Sequence, residues 1–502
     1  MPIAVAYCRA LVGVSAPLIR VETHIANGLP GCTIVGLPAA AVRESRERVR
    51  SAITNSGFEY PLRRITVNLS PGDIPKEGTG FDLAVAVGIL AASGQLEPDL
   101  LGRTEFFAEL GLSGELRPIQ GVIPAALAAA ADQHALIVAA EDGELAALVA
   151  SSSGHAATSL LEVTKHLNGL LTLPDIARSR HGCAPDGYPD LSDIVGQCRA
   201  RRALEVAAAG GHNVIMLGPP GTGKTMLARR LPGLLPLLDV QETLEVAAIH
   251  SVAGQSLEGL LHGRRPFRSP HHSASAVALV GGGQHPRPGE ISLAHQGVLF
   301  LDELPEFDRR ALEALREPLE HSQIHIARAS GAVRFPAAFQ LIAAMNPCPC
   351  GYAGDPKMEC RCTPQAIERY RQRISGPLRE RIDIHLELPR QFVDPFAAEI
   401  DGESSAVVAA RVKQCREHQH RRQGILNAAL RDADLKAQCQ MTSAASHCLT
   451  EFGRKLALST RSLHKIAAIA RTIADLDMSD TLHSSHIAEA CSYRMLDRPV
   501  AD

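Results

Sequence analysis

Short apolar runs alternate with helical stretches along the chain, and three of these runs are followed by residues capable of chemistry. Val214–Leu217, Val298–Leu301 and Phe339–Met345 are apolar almost throughout, which is typical of buried strands. The first leads into a glycine-rich loop and a helical segment, the second into two carboxylates and the third into an asparagine. Ligands of a parallel sheet bind at the carboxyl edge of its strands. The pattern therefore predicts an α/β domain with a parallel sheet and a binding site at that edge.

The glycine-rich loop has the form of a phosphate-binding loop. Its backbone N–H groups face the phosphates at the start of a helix, where the helix dipole favours anions. Lys224 is expected to reach the β- and γ-phosphates, and Thr225 to hold Mg²⁺. The alternative is a glycine-rich turn that opens an ordinary helix, but all the fixed residues and both flanking elements are present. The sequence predicts that ATP contacts Gly218, Pro219, Pro220, Gly221, Thr222, Gly223, Lys224 and Thr225.

Two carboxylates follow the second apolar run, about eighty residues after the loop. A buried strand ending in Asp302-Glu303 places both groups beside the phosphate loop. Asp302 is expected to help hold Mg²⁺, and Glu303 to act as the general base on the attacking water. A purely structural role is the alternative for this pair.

These two motifs together resemble the AAA+ class of P-loop ATPases. The resemblance implies that Asn346 is sensor 1, which orients the water, and that the segment Pro377–Asp383 carries an arginine finger. Arg381 is the first choice for that finger and Arg379 the second, while Arg461 matches sensor 2. The alternative for each arginine is an ordinary surface or salt-bridging role. A finger that acts on a neighbour's nucleotide implies a ring, and the class resemblance implies a hexamer.

Length and composition place these motifs in a larger soluble chain. The 502 residues suggest about three domains, and 45% hydrophobic with 21% charged residues is typical of globular proteins. Apolar stretches far shorter than about 20 residues and an N-terminus without a signal pattern predict a cytoplasmic protein without membrane contact. The predicted division is an N-terminal α/β domain (1–172), a linker (173–191), the ATPase core (192–395) and a C-terminal helical lid (396–502).

The N-terminal domain resembles the proteolytic domain of Lon-type ATP-dependent proteases in the segments 71–82 and 114–121. That family uses a serine nucleophile and a lysine base. Gly80 stands at the serine position and Ala125 at the lysine position, so the Ser-Lys mechanism cannot operate here. A structural or partner-binding role is expected for this domain.

A cluster of cysteines follows the sensor 1 position. Twelve cysteines in a chain without a signal pattern are expected to be reduced thiols, or metal ligands where they cluster. Two C-x-C pairs within the segment 348–362 can supply four thiolates to a tetrahedral structural Zn²⁺. Redox-active thiols and unrelated reduced cysteines are the alternatives. The candidate ligands are Cys348, Cys350, Cys360 and Cys362.

Two insertions in the core are rich in glycine, proline and cations. Residues 264–273 and 281–290, which lie between the phosphate loop and Asp302-Glu303, predict exposed loops. Residues 325–335 predict a hairpin turning at Ser330-Gly331 just before sensor 1. With a net charge of −3, any DNA site must be a local basic surface. Such loops would grip phosphates without reading bases, although ordinary solvated loops are the alternative. The candidate DNA contacts are Arg268, His271, His272, Arg287, Arg328 and Arg334.

Several longer segments together resemble one family, the ComM/YifB-type magnesium-chelatase-like AAA+ ATPases of bacteria. They include Thr33–Pro38, Ser269–His272, Pro288–His295 and Asn346–Gly351, besides the phosphate loop. The resemblance implies a hexameric, DNA-stimulated helicase that promotes branch migration during natural transformation, with single-stranded and branched DNA and a recombinase or another DNA-processing protein as partners. Two alternatives remain: a chelatase-like motor that remodels a protein partner, and an ATP-dependent protease.

Overall fold

The structure, a computed structural model, describes residues 3–149, 153–176, 187–283, 286–328, 331–391, 402–494 and 496. The chain divides into two compact units. The first comprises residues 1–183, 240–258 and 325–335, and the second comprises residues 184–239, 259–324 and 336–502. Two segments that lie within the nucleotide-binding part of the sequence therefore cluster with the N-terminal unit. The middle of the predicted linker, residues 177–186, lies outside the described residues.

The first unit is built on a seven-stranded mixed sheet in the order β3-β4-β2-β1-β5-β8-β9. Strands β1, β2 and β4 pair antiparallel, while β3 pairs parallel with β4 and the β1-β5-β8-β9 half is parallel. The strands of this region are β1 (Ile3–Arg9), β2 (Leu18–Ala26), β3 (Gly31–Val35), β4 (Arg64–Ser70), β5 (Thr104–Phe107), β6 (Glu109–Leu110), β7 (Leu116–Arg117), β8 (Ala135–Ala139) and β9 (Gly154–Ala157).

Helices cover this sheet, and the most central of them is buried on every side. All eleven residues of α2 are buried, which matches its lack of polar positions after Asp82. A helix that is apolar on all faces belongs in a core, so α2 fixes the centre of the domain. The helices are α1 (Ala40–Asn55), α2 (Asp82–Ala92), α3 (Val122–Ala131), α4 (Gly143–Ala146) and α5 (Leu160–Leu167).

Gly80, which the sequence analysis aligned with the serine position of Lon-type proteases, is packed against apolar side chains. Gly80 is buried, and a Cβ added there would lie 2.9 Å from Ile119 Cδ1 and 3.1 Å from the Phe107 ring. Ala125, at the expected base position, is fully buried. A serine at position 80 would therefore have no open space for its hydroxyl.

The second unit contains a five-stranded parallel sheet in the order β11-β14-β17-β10-β18. Its three central strands are buried along their whole length, as expected for a parallel sheet covered on both faces. The AAA+ fold predicted from the sequence is confirmed. The strands from here to the end of the chain are β10 (Val214–Leu217), β11 (Phe267–Arg268), β12 (Gly281–Gly282), β13 (Arg287–Pro288), β14 (Val298–Leu301), β15 (Gln323–Arg328), β16 (Gly331–Pro336), β17 (Gln340–Met345) and β18 (Ile384–Glu387).

Helices surround this sheet and complete the C-terminal part of the chain. Those in the sheet region are α6 (Cys198–Gly210), α7 (Lys224–Leu234), α8 (Val240–Ala253), α9 (Glu258–Leu261), α10 (Ala276–Val280), α11 (Glu290–Leu293), α12 (Arg309–Ala314), α13 (Arg316–His321), α14 (Pro364–Gln372) and α15 (Gly376–Arg379). The C-terminal helices are α16 (Ser405–Gln423), α17 (Asp432–Gln438), α18 (Ser443–Lys455), α19 (Thr460–Leu476) and α20 (Ser484–Ser492). Short 3-10 helices span Pro98–Leu101, Ala140–Asp142, Leu191–Asp193, Leu304–Glu306 and Asn427–Ala429.

The insertion after the second core helix differs in part from the sequence expectation. Phe267 and Arg268 were expected in an exposed loop, yet they form β11 and pair with β14. The reason is that the Phe267 ring stacks on Phe300 of β14, with the ring centroids 6.1 Å apart. One apolar contact thus adds a strand to the edge of the sheet within a segment that is otherwise rich in glycine, proline and cations.

The segments 240–258 and 325–335 pack within the first unit. The N–H of Gly121, at the start of α3, donates to Ser251 Oγ of α8 at 3.2 Å. A Cβ on Gly13 would lie 2.5 Å from Val333 Cγ1, so β16 comes close to the backbone of the β1–β2 connection. The predicted hairpin is formed by β15 and β16. Of the two residues predicted to form its turn, Gly331 belongs to β16, and Ser330 lies outside the described residues. Among the described residues, no helix is both long and apolar enough to cross a bilayer.

Candidate functional site

The predicted nucleotide-binding residues meet at the carboxyl edge of the parallel sheet in the second unit. Strand β10 lies between β17 and β18, with Leu217 opposite Met345. Strand β14 lies on the other side of β17, with Leu301 opposite Ala343. Since the strands run in the same direction, the residues that follow Leu217, Leu301 and Met345 emerge at one edge. The sheet register therefore brings the glycine loop, the two carboxylates and Asn346 together.

The glycine loop has the backbone of a phosphate cradle. Gly221 and Gly223 have φ values of 80° and 86°, in the left-handed region that favours glycine. A Cβ at either position would meet no atom within 4 Å, so the loop is open on the side where these glycines face. Helix α7 begins directly afterwards at Lys224. The loop and the helix start match the arrangement that binds nucleotide phosphates.

The Lys224 ammonium folds back over this loop. Its Nζ donates to the carbonyl oxygens of Gly218 and Pro219 at 2.6 and 3.0 Å, and to Asn346 Oδ1 at 3.2 Å. Burial lowers the pKa of Lys224, although Asp302 and Glu303 act to raise it. A phosphate would satisfy this partly buried cation better than neutral carbonyls do. The arrangement therefore fits ATP. It also connects Lys224 to Asn346 by a hydrogen bond.

The oxygen atoms expected to hold Mg²⁺ are already in contact. Thr225 Oγ1 donates to Asp302 Oδ2 at 2.9 Å, and both residues are half-buried. Hydroxyl and carboxylate oxygens are the hard ligands that Mg²⁺ prefers, together with phosphate oxygens and water. The donor set fits the ion that the family implies.

Glu303, the expected general base, is exposed and held by a histidine. Its backbone has a φ of 53°, in the left-handed region that is uncommon for a residue with a side chain. The side chain lies 3.0 Å from His272, measured between Oε2 and Nδ1. The sequence suggested His272 as a DNA contact, and the structure places it beside the nucleotide site. His271 is exposed, and its ring lies 4.1 Å from that of His272.

Arg381, the first choice for the arginine finger, and Arg461, the candidate for sensor 2, both contact one carboxylate. Glu320, at the end of α13, accepts from Arg381 Nη2 and from Arg461 Nη2, the latter at 3.2 Å. Arg381 is 8% exposed, whereas the Arg461 side chain is 43% exposed. Arg379, the second choice for the finger, is half-buried. No sequence motif marks Glu320, and the sequence analysis missed it.

The four cysteines of the predicted zinc site converge in the second unit. Their Sγ atoms all lie within 4.8 Å of one another. Cys348 lies 3.3 Å from Cys350 and 3.6 Å from Cys360 between sulfur atoms, near the ~3.8 Å that follows from tetrahedral Zn–S bonds of about 2.3 Å. Backbone N–H groups of Tyr352 and Arg361 lower the pKa of Cys350 to about 6, which favours the thiolate that a metal needs. The donor set fits Zn²⁺.

This cysteine cluster also touches the phosphate loop. Cys348 follows Asn346 by two residues. A Cβ on Gly351 would lie 3.0 Å from Pro220 Cδ, so the cluster packs directly against the loop. A metal that fixes the cysteines would therefore also fix the sensor asparagine and one wall of the nucleotide site.

The remaining candidate DNA contacts differ in their exposure and in whether a carboxylate already neutralises their charge. Arg268 forms a two-bond ion pair with Glu290, both bonds being 2.7 Å. Arg287 and Arg334 are exposed. Neither forms an ion pair within the part of the chain that the structure describes. The side chain of Arg328 lies outside the described residues, although its backbone ends β15.

Comparison with known proteins adds to this geometry. The family model "Magnesium chelatase, subunit ChlI" matches residues 190–394, "Subunit ChlI of Mg-chelatase" matches residues 21–142, and "Magnesium chelatase, subunit ChlI C-terminal" matches residues 402–494. Competence protein ComM of Haemophilus influenzae is 48% identical over 504 residues, covering 99% of this chain and 98% of that protein. The chain belongs to the ComM/YifB family of magnesium-chelatase-like AAA+ proteins. This family indicates an ATPase that uses ATP and Mg²⁺.

Other relatives show how far the similarity extends. The uncharacterised protein YifB of Escherichia coli is 47% identical over 500 residues, covering 99% of this chain and 98% of the relative. The magnesium-chelatase 67 kDa subunit of Heliobacterium mobile is 27% identical over 237 residues, which cover 41% of this chain and 35% of that subunit. Whole-chain similarity thus lies with ComM and YifB, and only part of the chain matches the chelatase subunit.

Replacing the two residues that act on the phosphates should separate binding from hydrolysis. Lys224→Ala removes the cation expected to stabilise phosphate charge, and ATP turnover should fall about a hundredfold or more. Glu303→Gln should leave ATP bound but unhydrolysed, because it removes only the base. Steady-state phosphate release and equilibrium binding of a fluorescent ATP analogue measure the two effects. Lys436→Ala, an exposed lysine on α17, is the control. Full turnover by either site variant would contradict the assignment.

His272 offers a test of whether its partner is Glu303 or DNA. A hydrogen bond to a charged group contributes more than a neutral one, so we expect His272 to restrain the Glu303 carboxylate and compete with the attacking water for it. His272→Ala should raise ATP turnover without DNA by about threefold, with DNA affinity unchanged. The matched control is His271→Ala, which should change neither. Equal loss of DNA affinity in both variants, with turnover unchanged, would instead support the DNA assignment.

Metal analysis tests the cysteine cluster. The purified protein should contain about one zinc per chain, and Cys360→Ser should lose it. The same variant should turn over ATP more slowly, because the cluster positions Asn346 and supports Pro220. Cys448→Ser, which replaces an isolated half-buried thiol, should keep both zinc and activity. Protein free of zinc but fully active would exclude a structural metal here.

Proposed function

We propose that the chain is a hexameric, DNA-stimulated ATPase that acts as a branch-migration helicase. In this proposal it extends heteroduplex when incoming single-stranded DNA is integrated during natural transformation in the cytoplasm. The observation that carries the proposal is the complete ATP-binding geometry in a chain 48% identical to Competence protein ComM along its whole length. The printed name of that relative places it in competence, and the proposal extends that role to this chain.

Each residue of the nucleotide site receives a role in this proposal. Lys224 binds the β- and γ-phosphates, and Thr225 with Asp302 holds Mg²⁺. Glu303 takes the proton of the attacking water, and Asn346 orients that water. Bound Mg²⁺ supplies positive charge that neutralises the phosphate oxygens. The contacts of Lys224 with Asn346 and of Thr225 with Asp302 support this assignment, since they pair residues of the phosphate loop and α7 with residues that follow the two neighbouring strands.

A second set of residues is proposed to act between subunits. Arg381, or Arg379 in its place, reaches a neighbour's nucleotide as the arginine finger, and Arg461 contributes as sensor 2. An arginine supplied in trans can raise turnover by about 10³-fold or more. This requirement for a neighbour is the reason for proposing a closed ring of six subunits.

DNA is proposed to be held through its phosphates by the cationic insertions. Arg287 and Arg334 are the best placed of the candidates because they are exposed and keep their charge unpaired among the described residues. Arg268 is already neutralised by Glu290, so its contribution should be smaller. Single-stranded and branched DNA are the proposed ligands, and a recombinase or another DNA-processing protein is a proposed partner.

The proposed domain roles follow the same division as the sequence. The region 192–395 is the motor with a structural Zn²⁺ site, and 396–502 is its helical lid. The region 1–172 supplies architecture or binds a partner, joined through the linker 173–191. The apolar packing at Gly80 supports this role over peptide cleavage, which makes an ATP-dependent protease the weakest reading.

One alternative function has an observation in its favour. The partial similarity to a magnesium-chelatase subunit supports a motor that remodels a protein partner. Stimulation of ATP turnover by DNA separates the two functions, since a motor acting on protein has no reason to respond to DNA. The proposal of a DNA motor fails if single-stranded and forked DNA both leave turnover unchanged.

DNA unwinding and its salt dependence test the proposal directly. The protein should unwind forked and three-stranded DNA in the presence of Mg-ATP, and Glu303→Gln should not. DNA affinity should fall steeply with salt, because phosphate contacts release counterions. Arg287→Ala should reduce the slope of log affinity against log salt by about one, and Arg268→Ala, its ion-paired control, by less. A salt-independent affinity would contradict phosphate binding by these loops.

A further inference from the structure

Glu320 accepts hydrogen bonds from arginines in three separate parts of the second unit. It lies in α13, one residue before that helix ends at His321 and close to the start of β15. Its carboxylate accepts from Arg381, which follows α15, and from Arg461 in α19. Its backbone oxygen accepts from Arg431 Nη2 at 3.0 Å. One residue of the ATPase core thus holds both candidate interface arginines and a third arginine of the C-terminal region.

The positive charge in this cluster exceeds what Glu320 can neutralise. Arg381 is 8% exposed, and its Nε has no hydrogen-bond acceptor among the described residues. Nearby Arg316 donates Nη1 to Glu313 at 2.9 Å, and its buried Nε likewise has no acceptor in the described part of the chain. A buried guanidinium with an unused N–H is costly unless an anion completes it. The cluster is therefore built to accept more negative charge than one carboxylate provides.

The ionisation of both partners agrees with this imbalance. Burial lowers the pKa of Arg381, as do the charges of Arg461 and Arg316, and the attraction of Glu320 only partly compensates. Partial burial acts to raise the pKa of Glu320, but the two arginines outweigh it and hold that pKa below its ordinary value. Glu320 is thus a carboxylate at neutral pH, and the arginines around it still repel one another.

We propose that Glu320 is a positioning residue that occupies the place of a phosphate anion, holding Arg381 and Arg461 until the nucleotide of a neighbouring subunit replaces it. The inference rests on the proposed trans role of these arginines. A phosphate carries more charge and more acceptor oxygens than a carboxylate, and arginine binds either group through paired N–H donors. Exchange of Glu320 for phosphate therefore relieves the charge imbalance. Since Arg381 is buried in this arrangement, it must leave Glu320 to reach a neighbour.

Replacement of Glu320 by a phosphate has two consequences, one for the ATP that assembly requires and one for the end of α13. While it binds the arginines, it competes with nucleotide for them, so assembly requires more ATP than it would without this carboxylate. When nucleotide takes the arginines, the end of α13 loses two of its three arginine contacts. That helix end leads directly into the β15–β16 hairpin. Occupation of a neighbour's site thus changes the restraints on a segment that carries candidate DNA contacts.

Nucleotide-driven assembly of a hydrolysis-deficient chain tests the inference without relying on turnover. In the Glu303→Gln background, Glu320→Gln keeps the shape and one acceptor but removes the charge. The Mg-ATP concentration for half-maximal assembly, measured by sedimentation velocity, should fall about fivefold, the difference between a charged and a neutral hydrogen bond. An unchanged or higher ATP requirement overturns the inference.

Matched variants separate this role from a structural one. Glu380→Gln removes a charge next to Arg381 from a residue without an ion pair in the described part of the chain, and it should leave assembly unchanged. Glu320→Asp keeps the charge but shortens the side chain, and it should shift the ATP requirement for assembly in the same direction as Glu320→Gln. It replaces Glu320→Gln as the test if that variant folds poorly. In the Arg381→Ala background, Glu320→Gln should have less than half of its effect. A full effect there would show that Glu320 acts elsewhere.

Steady-state kinetics of the hydrolysing enzyme give an independent reading. Glu320→Gln should lower KM for ATP with kcat maintained, because only competition with nucleotide is removed. A fall in kcat at unchanged KM would show that Glu320 orients the arginines in the active state, which is the opposite role.

If the Glu303→Gln chain fails to assemble with ATP at all, the proposed ring itself is wrong. If it assembles but Glu320→Gln has no effect, only the role of Glu320 is wrong.

Discussion

The parallel register of β10, β14 and β17 is the constraint on which the rest of the motor depends. Because Leu217 lies opposite Met345 and Leu301 opposite Ala343, three chain segments distant in sequence leave the sheet at one edge. Lys224 can then reach Asn346, and Thr225 can reach Asp302, without any long loop having to be ordered. A shift of one residue in either register would turn the buried side chains of that strand to the other face of the sheet and displace the residues that follow the strand. Buried apolar strands therefore fix the geometry of a polar site.

The charged groups of this site are all held by partners from within the chain. Lys224 binds carbonyl oxygens of its own loop, Glu303 lies beside His272, and Arg381 binds Glu320. For Lys224 and Arg381, these contacts offset the cost of leaving a partly or fully buried charge without a partner. In the proposed function, a phosphate, the attacking water and a neighbour's nucleotide take the places of these partners.

The cysteine cluster and the N-terminal unit show two further ways in which packing shapes function. Gly351, which lies within the cysteine cluster, packs against Pro220 of the phosphate loop. The four cysteines are distant from that loop in sequence, yet they lie beside it in the structure. In the N-terminal unit, Ile119 and Phe107 fill the space beside Gly80 where a nucleophile would need room. The same unit contains α8 and most of the β15–β16 hairpin.

The sequence by itself determined the elements whose signals are local. Strand β10, the glycine loop and α7 follow from an apolar run, a fixed motif and helical residues, and the same holds for β14 with Asp302 and Glu303. The grouping of Cys348, Cys350, Cys360 and Cys362 followed from spacing alone. Only the tertiary structure decided which distant side chains meet. Nothing near Glu320 in sequence signals Arg381 or Arg461, and a histidine pair in a loop gives no sign that His272 lies on Glu303. These contacts depend on how helices and strands pack across long separations in the chain, where side-chain burial and charge pairing outweigh local pattern.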